Sequence, residues 1–277
     1  MGAAMYSGEP KERFSVDWLA LREAADTRAR SASVLAAVRA WAADRTELAV
    51  LDLGCGSGAN LRYLCPRLSA SQRWCCIDHD EALIGRLLAS QFRPPQLETI
   101  ETRIHALADF TYLDTVGPDT LVTASALLDL VSAPWLAGLI ERCRTRSPAL
   151  LLALTYDGRV EIEPPHTDDR LVIALFNAHQ RGDKGLGPAL GPDAAGTLRV
   201  LADARGYEMT EGESDWLLGP DQAMLARELL AGWATAAAAR APAQRDRIRD
   251  WHQERRRAIR SRRFEIRVGH RDAFLVP

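Results

Sequence analysis

Short apolar runs recur along the first half of this chain, each closed by a polar or glycine-containing turn. The run AVLDL at 49–53 ends at a cluster of glycines, and WCCID at 74–78 ends at an acid. Residues 98–105 alternate apolar and polar, TLVTAS spans 120–125, and ALLLALT spans 149–155. Between them the period lengthens to that of helices, at 60–68, 81–90 and 135–144, and residues 15–43 precede the first run with Val34, Leu35, Val38 and Trp41 at helical spacing. Strands apolar on both faces, alternating with helices about five times, predict a parallel sheet covered on both sides: an α/β, doubly wound domain. Residues 1–12 are polar and read as a frayed end.

The rhythm changes after Thr155. About 38 residues pass before the next clear helix, expected at 194–205, and a connection that long usually has a function or structure of its own. Within it, Leu171, Val172, Leu175, Phe176 and His179 share a helical face, and the glycine-rich loop RGDKGLG follows at 181–187. Residues 207–216 read as a sixth strand, 221–240 and 243–262 as two helices, and 264–275 as a last strand. The expected organisation is a helical N-terminal cap over 1–45 and one Rossmann-like domain over 46–277. Within that domain, 156–193 is read as a substrate-cap insertion and 221–262 as a helical insertion.

Composition narrows the class. A net charge of −2 gives the whole molecule no pull toward nucleic acid or membrane, although 12 arginines face five acids from Arg240 onward. The five cysteines (Cys55, Cys65, Cys75, Cys76, Cys143) include no C-x-x-C pair and no His/Cys spacing for zinc. The odd count fits a reducing compartment better than a disulfide framework, and no metal is expected. No run approaches the ~20 apolar residues of a membrane span, and no signal pattern opens the chain. The expectation is a soluble, cytoplasmic protein.

The chemistry starts at DLGCGSG, residues 52–58. A strand, then glycines, then a helix makes a seat for a nucleotide-like ligand, because the backbone can turn sharply and approach the ligand closely. Gly54, Gly56 and Ala59 also satisfy the loose dinucleotide pattern, so the glycines leave NAD and other ligands open. Asp52 disfavours a diphosphate and favours a cationic ligand. Asp78, ending the second run, can accept hydrogen bonds from both ribose hydroxyls, a role common to NAD and S-adenosylmethionine. Asp109 and Phe110, after the third run, are placed to meet an adenine amine and ring, or else Asp109 is only a cap or a solvated acid.

With these acids in place, VLDLGCGSGAN at 50–60 resembles motif I of the class I S-adenosylmethionine-dependent methyltransferases. The resemblance covers roughly residues 48–155. It implies a seven-stranded, mostly parallel sheet with an antiparallel last strand, which the order of elements after 207 also fits. It implies S-adenosyl-L-methionine as cofactor, S-adenosyl-L-homocysteine as product, and a wall that includes Asp52, Gly54, Cys55, Gly56, Gly58 and Asn60. It further assigns Asp78 to the ribose, Asp109 and Phe110 to adenine, and Ser125 to the methionine moiety. His79 lies at the cofactor edge or on an exposed loop. Arg22 is matched to the methionine carboxylate, although Glu23 and Asp26 offer it ion pairs instead.

The methyl acceptor is less marked. The resemblance predicts the donor, and the acceptor depends on what covers the strand ends. His166, Asn177, Arg181 and Lys184 are candidates for holding an anionic or polar acceptor. His179 is a candidate base because imidazoles titrate near neutrality, and Asp129 is a second catalytic candidate. The bland alternative is that Asn177 to Lys184 merely end a helix. No Asn/Asp-Pro-Pro-aromatic motif follows the fourth run, nor a cysteine after a proline, so a small-molecule acceptor is expected and nucleic acid is not. The alternatives are an RNA- or protein-modifying methyltransferase that uses the Arg-rich 240–263 segment, and a protein that binds S-adenosylmethionine without transfer. The oligomeric state is open, with a homodimer as one option.

Overall fold

A computed structural model describes residues 15–146 and 148–277; the polar stretch at 1–12 lies outside them. Helices α1 (Val16–Ala29) and α2 (Ala32–Ala42) precede β1 (Glu47–Leu53), α3 (Ala59–Leu64), β2 (Ser71–Asp78), α4 (Glu81–Ala89), β3 (Leu97–Ile104) and β4 (Thr120–Ser125). Then come α5 (Ala133–Arg146), β5 (Ala149–Glu163), α6 (Asp169–Gln180), α7 (Ala194–Asp203), β6 (Glu208–Glu213), β7 (Trp216–Leu218), α8 (Ala223–Arg240), α9 (Arg245–Arg260) and β8 (Glu265–Val276).

The sheet runs β3-β2-β1-β4-β5-β8-β6, with the short β7 also paired to β8. The first five strands are parallel, and β8 is antiparallel to β5, β6 and β7. This is the expected doubly wound, mostly parallel sheet with an antiparallel last strand, enlarged to eight strands. The apolar runs explain the centre. Leu121, Leu150 and Leu152 are fully buried, and each such side chain contributes roughly 1.5–3 kcal/mol. One apolar layer packs α5 and α7 on one face of the sheet. Another packs α2, α3 and α4 on the opposite face. A third joins α1, α6, α8 and α9 to β7 and the ends of β5 and β8.

Three elements depart from the sequence expectation. The fifth strand does not stop at Thr155 but continues to Glu163, across two irregularities in its pairing with β8. At the first of them Leu154 takes φ 53°, and its N–H donates to the buried Asp272 carboxylate at 2.8 Å. The polar tail DGRVEIE reads as loop in isolation, and its ladder partner more than 100 residues on makes it strand. The run 207–216 is two strands, broken at Ser214 and Asp215: the Ser214 N–H donates to the His270 carbonyl, and the Asp215 carboxylate accepts from the His270 N–H. The helix expected over 60–68 ends at Leu64, before Pro66, where the chain tightens into a 3-10 turn at Cys65–Arg67.

Candidate functional site

The strand order reverses direction between β1 and β4, and the carboxyl ends of β1, β2, β3 and β4 open there into a cavity of about 290 Å³. Gly54 to Ser57 line it from the turn after β1, Asp78 to Asp80 from β2, Ala106 to Ala108 from β3, and Ser125 to Leu127 from β4. The far wall comes from α1, through Leu19, Arg22 and Asp26, and from Lys184, Gly185 and Leu186.

The glycine loop is built as its sequence requires. Gly56 takes φ 53° and Gly58 φ 88°, conformations that favour glycine. A Cβ at Gly58 would stand 2.5 Å from Leu87 Cδ1, so the close packing of α4 against the loop also excludes a side chain. The Asp78 carboxylate fixes the loop from the neighbouring strand: it accepts from Gly56 N at 2.8 Å and from Asp80 N at 2.9 Å. His79 Nδ1 lies 3.4 Å from the same group. Asp80 in turn caps α4 by accepting from Ala82 N and Leu83 N.

Helix α1 lies directly on this loop. A Cβ at Gly56 would meet Leu19 Cδ1 at 3.3 Å. Glu23 accepts two bonds from Arg62 of α3, at 2.6 and 2.8 Å, and Asp26 accepts from Trp216 Nε1 at 3.0 Å. Arg22 is held in the wall by a two-pronged pair with Asp26, at 2.9 and 3.1 Å, and lies 4.9 Å over the Trp216 ring. Leu19 thus packs against the loop at Gly56, and α3 is a single short helix of six residues.

Of the residues singled out from sequence, Gly54, Cys55, Gly56, Asn60, Asp78, His79, Ser125, Arg22 and Lys184 line one cavity. Asp52 sits beneath it, 1% exposed, bonded to Asn60 Nδ2 at 2.8 Å. Burial pushes its carboxyl up to about 7, against the Asn60 bond and the Arg30 charge, with Asp78 adding to the rise. Gly58 packs behind the loop against α4. Asp129 is buried, and desolvation raises its carboxyl to about 6, opposed by its own backbone N–H, by Arg22, by the Tyr156 N–H and by Lys184. It thus lies within the field of both cations of the far wall.

Asp109 and Phe110 are not among the lining residues. Asp109 is turned outward, its side chain 58% exposed, and accepts from Thr111 N at 3.0 Å, which with the Thr111 hydroxyl holds the carboxyl below its ordinary range. Phe110 packs on Trp135 with ring centres 5.4 Å apart. Their place at the cavity is taken by the backbone and small side chains of Ala106 and Ala108 with Leu107. The residues of the 156–193 segment also separate. Asn177 accepts from the Tyr156 hydroxyl at 2.6 Å and donates to Gly158 O at 3.1 Å. Arg181 pairs with Asp193 at 2.8 Å, and His166 with Glu254 at 3.0 Å. None of the three, nor His179, lines the cavity. The Arg-rich α9 has structural employment: Arg247 bonds Asp168 at 2.7 Å, and the buried Arg255 holds Asp169 and Pro164 O at the start of α6. Among the described residues, no helix is long and apolar enough to cross a membrane.

Sequence reasoning missed Leu19, Asp26, Ala126, Leu130, Val131 and Leu186 as wall residues. Ala126, with φ 54° and its N–H on Ala153 O at 2.8 Å, carries no sequence signal of that bend.

No protein-family model matches the chain, and a search of curated proteins finds no match. Among solved structures the chain is similar to the YcgJ protein from Bacillus subtilis, at 13% identity over 88% of this chain and 97% of that one, with a TM-score of 0.50. It is also similar to a cyclopropane-fatty-acyl-phospholipid synthase-like protein from Lactobacillus casei, at 18% identity over 91% and 98% of the two chains and a TM-score of 0.49. A third likeness is to the cyclopropane synthase MmaA2 from Mycobacterium tuberculosis, at 12% identity, 88% and 82% coverage and a TM-score of 0.47. The fold is a Rossmann-like, doubly wound α/β fold with an antiparallel last strand. At these identities the likeness is one of fold; what the cavity holds rests on its own residues.

Proposed function

We propose that the chain is an S-adenosylmethionine-dependent methyltransferase that moves a methyl group to an O, N or C atom of a small molecule. The observation that carries this reading is the seating of Leu19 on Gly56, with Asp78 fixing the loop and Asp52 beneath it. That arrangement suits a nucleoside with a short cationic tail, and the two carboxylates disfavour a diphosphate on the loop.

S-adenosylmethionine, when bound, supplies a methyl group on a positively charged sulfur. The chain's share is binding, alignment and exclusion of water. Asp78 keeps lone pairs for ribose hydroxyls after bonding Gly56 and Asp80. Ala106 to Ala108 flank the base, a place first assigned to Asp109 and Phe110. Ser125 and Asn60 face the methionine portion, and Arg22, already oriented by Asp26, is the partner for its carboxylate. Leu127, Leu130, Val131 and Leu186 keep the transfer region dry, and Lys184 faces the acceptor. Asp129, through Arg22 and Lys184, sets the charge of that wall. The segment 181–187 thus reaches the site through its tip, whereas His166, Asn177 and Arg181 fasten its base. The test is an acceptor screen with methyl-labelled S-adenosylmethionine. Label appearing in a small molecule together with S-adenosylhomocysteine supports the reading; label transferred only to RNA or protein contradicts the acceptor class.

A further inference from the structure

Below the glycine loop three ionisable side chains are buried together: Arg30, 4% exposed at its side chain, Asp272, 2%, and Asp52, 1%. Arg30 occupies the break between α1 and α2. Its guanidinium donates to Asn60 Oδ1 at 3.1 Å, lies 3.4 Å from Asp272 Oδ2, and covers the Tyr63 ring at 4.4 Å. Asn60 passes the link onward, donating to Asp52 Oδ1 at 2.8 Å and Thr123 Oγ1 at 3.1 Å. The two carboxylates are treated differently. Asp272 accepts two backbone N–H bonds, from Ser31 and Leu154, and has the guanidinium beside it as an ion-pair partner. Asp52 has the Asn60 bond only, and its Oδ2 has no hydrogen-bond partner.

One cation therefore serves two buried acids, and a third, Asp78, stands nearby. The remaining groups against Asp52 supply no positive charge. Its sheet neighbours are Cys76 on β2 and Thr123 on β4. The Cys55 thiol above is pushed up by its bond to Cys76 and by burial, so it stays protonated. An ionised carboxylate in such a place lacks compensation, and protonation is the usual outcome.

We propose that Asp52 is a proton-linked counter-ion: a ligand that brings positive charge into the cavity beside Asn60 expels the proton Asp52 holds, and binds more tightly once that proton is gone. The proton passes to the buffer, and the positive charge of the ligand takes its place. The inference rests on the S-adenosylmethionine reading, whose sulfonium provides the charge. The sign follows from linkage. Burial raises the acid to about 7, and a bound cation lowers it. Affinity therefore rises with pH up to about 7 and levels off above, with a slope approaching about tenfold per pH unit at most. Arg30 acts as a positioning residue, setting where that window lies.

Calorimetric titration of the full chain from pH 5.5 to 8.5, in two buffers of different ionisation enthalpy, reads both affinity and protons released. S-adenosylmethionine should release protons near and below pH 7, and S-adenosylhomocysteine, with its neutral sulfur, fewer. Asp52→Asn still accepts from Asn60 and should flatten the Asp52 part of the profile; the ligand's own amino group titrates equally in both proteins, so the difference isolates Asp52. Arg30→Gln should move the window to higher pH, and Arg30→Lys should move it back, whereas a packing role alone would lower thermal stability and leave the window in place. Melting curves of each variant check folding. Identical pH profiles for wild type and Asp52→Asn would overturn the counter-ion while leaving the cofactor reading intact. Binding of neither ligand at any pH would remove both.

Discussion

The two walls of the cavity are made in different ways. The wall on the sheet side comes from turns that end consecutive strands, and each contributes residues adjacent in sequence: 54–57, 78–80, 106–108 and 125–127. The wall opposite is assembled from α1 and from 184–186, which are separated by more than half the chain and fixed by side-chain contacts such as Glu23 with Arg62 and Asp26 with Trp216. The first wall is set by backbone geometry and tolerates little change. The second is set by ion pairs and apolar packing, and can be altered without unmaking the sheet.

That contrast orders the expected effects of substitution. Gly58→Val should be the most damaging, since a positive φ and a 2.5 Å approach to Leu87 both oppose it. A loss of about 3 kcal/mol in chemical denaturation is expected, with no measurable ligand binding. Asp78→Ala removes the loop's anchor and the proposed ribose acceptor together, and should weaken S-adenosylmethionine about 100-fold by calorimetry, in line with a charged hydrogen bond. An unchanged affinity would break the equation of the first wall with the nucleoside. Arg22→Ala should weaken binding about tenfold and leave the melting temperature within a few degrees, because the Glu23 bonds still hold α1. Asp109→Ala and His166→Ala should each alter affinity less than about twofold, as expected for side chains outside the cavity. A large effect of either would return it to the site.

The same contrast explains what the sequence made legible. DLGCGSG and the acid at 78 are local signals, because a strand end, a left-handed glycine and a neighbouring carboxylate must lie close along the chain to make such a loop. The fold followed for the same reason, from apolar runs that only a covered parallel sheet can bury. The extension of β5 to Glu163 was hidden because its partner is β8, at the far end of the chain, and its own residues are polar. Asp109 misled because an acid after β3 has the right position but is turned outward by Thr111. His166, Asn177 and Arg181 share a segment with Lys184, yet each is claimed by a partner on another element, and no one-dimensional pattern shows that. Arg30 was silent for a related reason: its partners are Asn60 and Asp272, 30 and 242 residues away along the chain.

The central claim is that α1 closes the glycine loop over a nucleoside with a cationic tail and that the two carboxylates disfavour a diphosphate there. Equilibrium titration of the full chain with S-adenosylmethionine and, separately, with NAD tests it most directly. The account predicts saturable binding of S-adenosylmethionine, weakened in Asp78→Ala, and no binding of NAD at comparable concentrations. Saturable binding of NAD without binding of S-adenosylmethionine would contradict it.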